Sequence, residues 1–233
     1  MRLFVACFLI ILATAATAQA HGAPSNPPSR AYLCAPDQPS SATDACKAAA
    51  AWGLPAKQWD NIRRPNIAGR DRQLIPDGKL CSAGIPAYQG LDQPREDWPT
   101  TQLKNQFRYV STIPHRGTFR FFVTKDGYDP TKPLKWEGLD EFQVVKDPKL
   151  VNGAYTFDLK LPQDKSGRHL IYTVWQNSDT VDTYYSCTDV IIGATAKTAG
   201  TSNSLRLPLS IGVAVLAFAA MLIGIHLSRR RIL

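Results

Sequence analysis

The sequence has no Cys-x-x-Cys pair, no internal repeat and no basic segment in its middle, and only two of its stretches are apolar enough to enter a membrane. Two such stretches exclude a polytopic transporter. The formal charge of +8 suggests a nucleic-acid partner, but Arg2, Lys197, Arg206, Arg229, Arg230 and Arg231 lie towards the ends. Without them, 21 basic residues face 19 acidic ones. That near-balance excludes the basic face a nucleic-acid-binding domain needs. The missing Cys-x-x-Cys spacing argues against four cysteines holding one metal ion. What remains is a chain of 233 residues, 44% apolar and 20% charged. This is enough for one packed domain with short extensions.

The two ends have distinct patterns. Residues 1–20 carry Arg2, an apolar centre from Leu3 to Leu12, and Ala18-Gln19-Ala20. This is the pattern of an export signal cleaved after Ala20. Cleavage there makes His21 the first residue of the mature chain, with a free α-amine. Leu207 to Leu227 carries no charge and Arg229, Arg230 and Arg231 follow it. That length spans a ~30 Å hydrocarbon core as a helix, and the arginines place the end, residues 228–233, on the cytoplasmic side. A glycolipid-anchor signal fits the arginine run poorly, and a sortase signal lacks its Thr-Gly. Residues 193–206, rich in Ala, Thr, Gly and Ser, form a stalk. The expectation is an exported, monomeric domain over 21–192, held at the outer face of the membrane by a C-terminal helix.

Cys7 leaves with the signal, so Cys34, Cys46, Cys81 and Cys187 remain. An even count in an exported chain implies two disulfides with three pairings open. The spacing favours Cys34–Cys46 and Cys81–Cys187. Alternation of period two marks strands at Phe107, Tyr109, Ser111 and Ile113, at Phe119, Phe121 and Val123, and at Tyr155, Phe157, Leu159 and Leu161. Leu170 to Trp175 is continuously apolar, as in a strand buried on both faces, and Tyr184 to Ile192 forms the last strand. One helix is expected, with Asp44 capping Ala45 to Trp52. Gly53 to Asp97 is irregular. These elements predict an all-β sandwich with a large inserted region of loops and short helix.

Four histidines remain to be placed. His226 sits in the apolar tail as an interfacial residue, and His169 at a strand start as a structural one. His115 follows Ile113-Pro114 and projects from a loop at a sheet end. A mature N-terminal His21 offers an α-amine and an imidazole Nδ1 that chelate one metal in a six-membered ring. The amine has a pKa of about 7.7–8.0, so a metal displaces its proton readily. A second imidazole completes three nitrogen ligands, a set suited to copper rather than to tetrahedral zinc.

His21-Gly22, Pro28-Ser29-Arg30 and Tyr32-Leu33-Cys34 resemble the N-terminus of bacterial-type lytic polysaccharide monooxygenases, auxiliary activity family ten. The resemblance continues through Gln58 to Ile62, Ala68 to Gly84, Thr112 to Gly117, Val123 to Asp129, Pro133 to Trp136 and Asp179 to Val190. It implies an immunoglobulin-like or fibronectin-like sandwich on which the His21 amine and imidazole and the His115 imidazole hold one copper ion. It places Tyr184 at the axial position, where the family usually has phenylalanine. Ile113 stands where alanine is common and narrows access to the open copper position. Asp179 matches an acidic position that orients groups beside the metal.

The implied activity is oxidative cleavage of a glycosidic bond with an external electron donor and hydrogen peroxide or dioxygen. No carboxylate dyad is required, in contrast to glycoside hydrolysis. The substrate is an insoluble polysaccharide, chitin before cellulose. Trp59 is the candidate for stacking on a sugar ring, with Gln58, Asp60 and Asp182 as polar contacts. Two other readings stand beside this one: a membrane-held copper carrier that is not an enzyme, and a chitin-binding adhesion module.

Overall fold

The alternation in the second half of the chain builds two facing sheets in the computed structural model, which describes residues 21–104 and 106–193. The described strands are β1 (His21–Asn26), β2 (Arg63–Pro65), β3 (Thr101–Gln102), β4 (Gln106–Ile113), β5 (Gly117–Thr124), β6 (Leu139–Lys146), β7 (Leu150–Val151), β8 (Ala154–Asp158), β9 (Gly167–Asn177) and β10 (Asp182–Ile192). One sheet runs β1-β4-β8-β7. The other runs β2-β10-β9-β5-β6, with β3 parallel to β10. The sandwich expected from the sequence is present.

Between the sheets lie Phe107, Tyr109, Phe119, Phe121, Val123, Phe157 and Trp175. Trp175 is fully buried, with the rings of Tyr109, Phe119, Tyr155 and Tyr184 at 5.2 to 5.5 Å. Burying each such ring contributes about 1.5–3 kcal/mol. Alternate residues of β9 and β10, namely Leu170, Tyr172, Val174, Tyr185 and Cys187, face the other way into a second core. The segment between β1 and β4 covers that face. This explains the unbroken apolar run of β9: both of its faces are covered.

The inserted segment holds three short α-helices, α1 (Arg30–Leu33), α2 (Asp44–Ala51) and α3 (Asp71–Leu74). The cap of α2 differs from the expectation. Thr43 is in extended conformation and its hydroxyl accepts from the Cys46 amide, while Asp44 is the first helical residue. An acidic first residue favours the positive end of the helix without capping it. Disulfides Cys34–Cys46 and Cys81–Cys187 form as the spacing favoured, the second tying the insertion to β10. A buried ion pair, Arg30 Nε to Asp189 Oδ2 at 2.7 Å, makes a second tie. Arg30 also donates to the Leu91 carbonyl and lies 4.6 Å from the Trp98 ring, so its buried charge is compensated on several sides.

His169 is buried and bonded to Thr124 and Ser166, a structural residue as expected. Residues 1–20, the stalk beyond Gly193, the apolar stretch 207–227 and His226 lie outside the described residues. Among the described residues, no helix is long and apolar enough to cross a membrane.

Candidate metal centre

Strand register brings the two arms of the site together. In the β1–β4 pair, His21 stands opposite Ile113, two residues before His115, with a register irregularity between His21 and Gly22. The backbone of His21 and Gly22 is held at three points. Ser111 Oγ donates to the His21 carbonyl at 3.1 Å, Tyr109 OH donates to the Gly22 carbonyl at 2.8 Å, and the Gly22 amide donates to the Asp60 carbonyl at 2.9 Å. Glycine is required at position 22 by close approach. A Cβ there would lie 2.5 Å from Tyr109 Cε1 and 2.6 Å from the Val110 carbonyl oxygen.

His115 occupies the turn between β4 and β5, its side chain 10% exposed. Its Nδ1 lies 3.0 Å from Asp179 Oδ1, and the second carboxylate oxygen accepts from the Arg116 amide at 3.3 Å. Tyr155 OH donates to the His115 carbonyl at 2.7 Å. An ionised carboxylate only accepts, so the bond to Asp179 assigns the ring proton to Nδ1 and leaves the lone pair on Nε2. That Nε2 is buried and has no hydrogen-bond partner. A fixed imidazole with an unpartnered lone pair is the donor a metal requires.

Among the described residues no group of three or more His, Cys, Asp or Glu side chains converges to hold a metal. Two imidazoles and an α-amine are a different donor set. It suits copper, which favours nitrogen, and it exists only when His21 is the first residue.

Tyr184 is buried on β10, its ring 5.3 Å from Trp175, and in register with Arg63 of β2. Burial drives its phenol well above the ordinary tyrosine range, and nearby Asp182 adds to this. It is therefore a neutral phenol near neutral pH. Ile113 is 37% exposed at the end of β4. Asp179 bonds His115 directly.

The polar contacts expected for substrate fall out unevenly. Gln58 is exposed, and its carbonyl accepts from Tyr88 OH. Trp59 is half-buried against the second core and meets Tyr32 edge-on at 4.9 Å. Asp60 accepts from Thr112 Oγ1 at 2.7 Å. Asp182 requires a correction: its side chain is only 7% exposed, and both oxygens lie 3.1 Å from Arg63 Nη1. A buried carboxylate needs such a partner, and the pair lines the cleft beside His115 together.

Two clefts flank His115. One, of about 480 Å³, is lined by Arg63, Pro65, His115, Thr180, Val181 and Asp182 among others; the second, of about 320 Å³, includes Arg116, Asp147, Leu150 and Tyr155. Arg63 was not legible from sequence, because its partner lies 119 residues away. The alternation puts Tyr109 and Ser111 on one strand face, but does not single them out as holders of His21 and Gly22.

Residues 21–190 match the family described as lytic polysaccharide mono-oxygenase, cellulose-degrading. A protein of Pseudomonas aeruginosa named chitin-binding protein CbpD is 43% identical over 187 residues, 74% of this chain and 48% of its own. A protein of Streptomyces ambofaciens named lytic cellulose monooxygenase is 34% identical, over 75% of this chain and 54% of its own. The chain thus spans about half the length of these curated relatives. The structure of the cellulose-active monooxygenase CelS2 in complex with copper superposes with a TM-score of 0.67 at 33% identity, covering 73% of this chain and 98% of that one.

Proposed function

The chain belongs to the lytic polysaccharide monooxygenases of auxiliary activity family ten, and from that premise we propose that it cleaves glycosidic bonds of an insoluble polysaccharide oxidatively, with one copper ion held by His21 and His115. The observation that carries this reading is the state of His115: Nδ1 fixed by Asp179 at 3.0 Å and Nε2 buried without a partner. When bound, copper supplies one-electron chemistry between an external reductant and hydrogen peroxide or dioxygen.

The chain's own residues supply the geometry. Asp179 holds the proton on Nδ1 of His115, so that Nε2 stays a donor. Ser111, Tyr109 and Asp60 hold the backbone of His21 and Gly22. Tyr184, a buried neutral phenol, would face the metal-holding residues, and Ile113 would border their approach. Trp59, Gln58 and Arg63 offer stacking and hydrogen-bonding groups around the site. Chitin is the proposed substrate, with cellulose second, because the relative named for chitin shares more identity than the one named for cellulose.

The sequence further supports export with cleavage after Ala20, and anchoring through 207–227. The stalk of 14 residues at 193–206 would then reach tens of Å, at about 3.3 Å per extended residue. An anchored enzyme acts on polymer close to its own cell.

The test uses the exported chain with His21 verified as its first residue, loaded with one copper, and incubated with β-chitin or cellulose, ascorbate and peroxide beside His115→Ala. Soluble oligosaccharides carrying one added oxygen, absent from the variant, are expected from chitin. Copper binding without oxidised products from either polymer would instead support a copper carrier. Retention on chitin without copper binding would support an adhesion module.

A further inference from the structure

We propose that Asp60 is a positioning residue for the metal-binding N-terminus, acting as a clasp that sets His21 against the strand leading to His115. The proposal rests on the copper reading above, and it changes the role of Asp60 from sugar contact to clasp.

The residue bonds both arms of the site at once. Its backbone carbonyl accepts from the Gly22 amide at 2.9 Å, one residue from the chelating histidine. Its Oδ2 accepts from Thr112 Oγ1 at 2.7 Å, on the strand residue next to Ile113, which stands opposite His21. The segment around it is fixed at intervals. The Gln58 carbonyl accepts from Tyr88 OH, the Ile62 carbonyl accepts from the Tyr185 amide at 3.1 Å, and Arg63 pairs with Asp182. The segment is thus held on both sides of Asp60, a fixed point against which the Gly22 amide is set.

The first residue of a chain has no preceding peptide to restrain it, and its amine must point at the metal together with its own imidazole. The Ser111 and Tyr109 bonds fix the carbonyls of His21 and Gly22, while Asp60 supplies the bond to the Gly22 amide. Through Thr112, the same residue ties this hold to β4. Loss of either side-chain partner lets the insertion and the sheet move apart, and ligands that are less well preorganised bind metal less tightly.

The test measures copper(II) affinity by competition titration, and the electron paramagnetic resonance spectrum of the bound ion. It compares the exported chain starting at His21 with Asp60→Ala, Thr112→Val, the double variant and Asp60→Asn. Asp60→Ala and Thr112→Val are expected to weaken copper binding about tenfold, the low end of the loss when a group supporting a metal ligand is removed. Their spectra should broaden or shift from the native one. The double variant should be no weaker than either single one, because both remove the same bond. Asp60→Asn, which keeps an acceptor for Thr112, should recover most of the affinity.

The melting temperature of the metal-free variants is the control for a merely structural role. Native copper affinity and a native spectrum in both Asp60→Ala and Thr112→Val would overturn the proposal, whatever the melting temperatures. Failure of the parent reading looks different, because the unaltered chain would then bind no copper, or His115→Ala would bind it equally well.

Discussion

Asp179 reaches across from the β9–β10 turn to hold Nδ1 of His115 at 3.0 Å, while its other oxygen accepts from the Arg116 amide. One carboxylate thus fixes both the tautomer of the ring and the course of the backbone that carries it. The Asp179 side chain is 44% exposed, so this bond contributes little to folding and much to where Nε2 points.

Replacing Asp179 by Ala should therefore separate stability from metal affinity. The melting temperature is expected to change by no more than a few degrees, as for most surface substitutions. Copper affinity should fall by roughly 10–100-fold. Calorimetric titration of copper(II) beside thermal unfolding checks both parts. An unchanged affinity would mean that Asp179 does not orient the ring.

Gly22→Ala should damage the fold and the site together. The added Cβ would meet a backbone oxygen at 2.6 Å as well as the Tyr109 ring, and a backbone atom cannot swing aside. Overpacking of this kind costs about 1–3 kcal/mol. Urea denaturation gives the number, and a loss below about 0.5 kcal/mol would show that β1 shifts freely.

The two disulfides should differ in weight. Cys81–Cys187 spans 106 residues and Cys34–Cys46 spans 12. Constraint of the unfolded chain grows with loop length, to about 4.7 kcal/mol for a 100-residue loop against about 3 kcal/mol for a 15-residue one. Replacing each pair by alanines and measuring unfolding should show the larger loss for Cys81–Cys187.

Alkaline pH should destabilise the fold. Burial pushes the phenols of Tyr88 and Tyr128 up to about 12. Both pack on the second core, between the insertion and the six-stranded sheet. The folded state therefore holds these protons more tightly than the unfolded chain, whose tyrosines titrate near 10. Their contribution is fully present below pH ~10 and is lost as pH rises through about 12. Stability measured between pH 9 and 12 should fall. Tyr88→Phe, which cannot ionise, should flatten that fall.

The sandwich was legible because its signal is local. Phe119, Phe121 and Val123 alternate with residues of the other face, and Leu170 to Trp175 declares two covered faces by having no polar break. The insertion was not legible, because its order comes from partners far away in sequence. Arg30 is fixed by Asp189, Arg63 by Asp182 and Asp60 by Thr112. None of these pairs leaves a periodic trace. β2 is three residues, Arg63-Arg64-Pro65, with no apolar alternation, and only its register with β10 makes it a strand. His21 and His115 were singled out for another reason: a free histidine terminus offers chelating groups, and the strings around both histidines resemble the family's.

Whether the His21 terminus and His115 hold copper together is tested most directly by copper(II) spectroscopy. Three exported chains suffice: one beginning at His21, one with a single alanine added before it, and His115→Ala. The account predicts one tightly bound copper with a nitrogen-rich paramagnetic signature in the first chain. The added alanine, which turns the amine into an amide, and the loss of His115 should each abolish that signature. A native signature in either altered chain would contradict it.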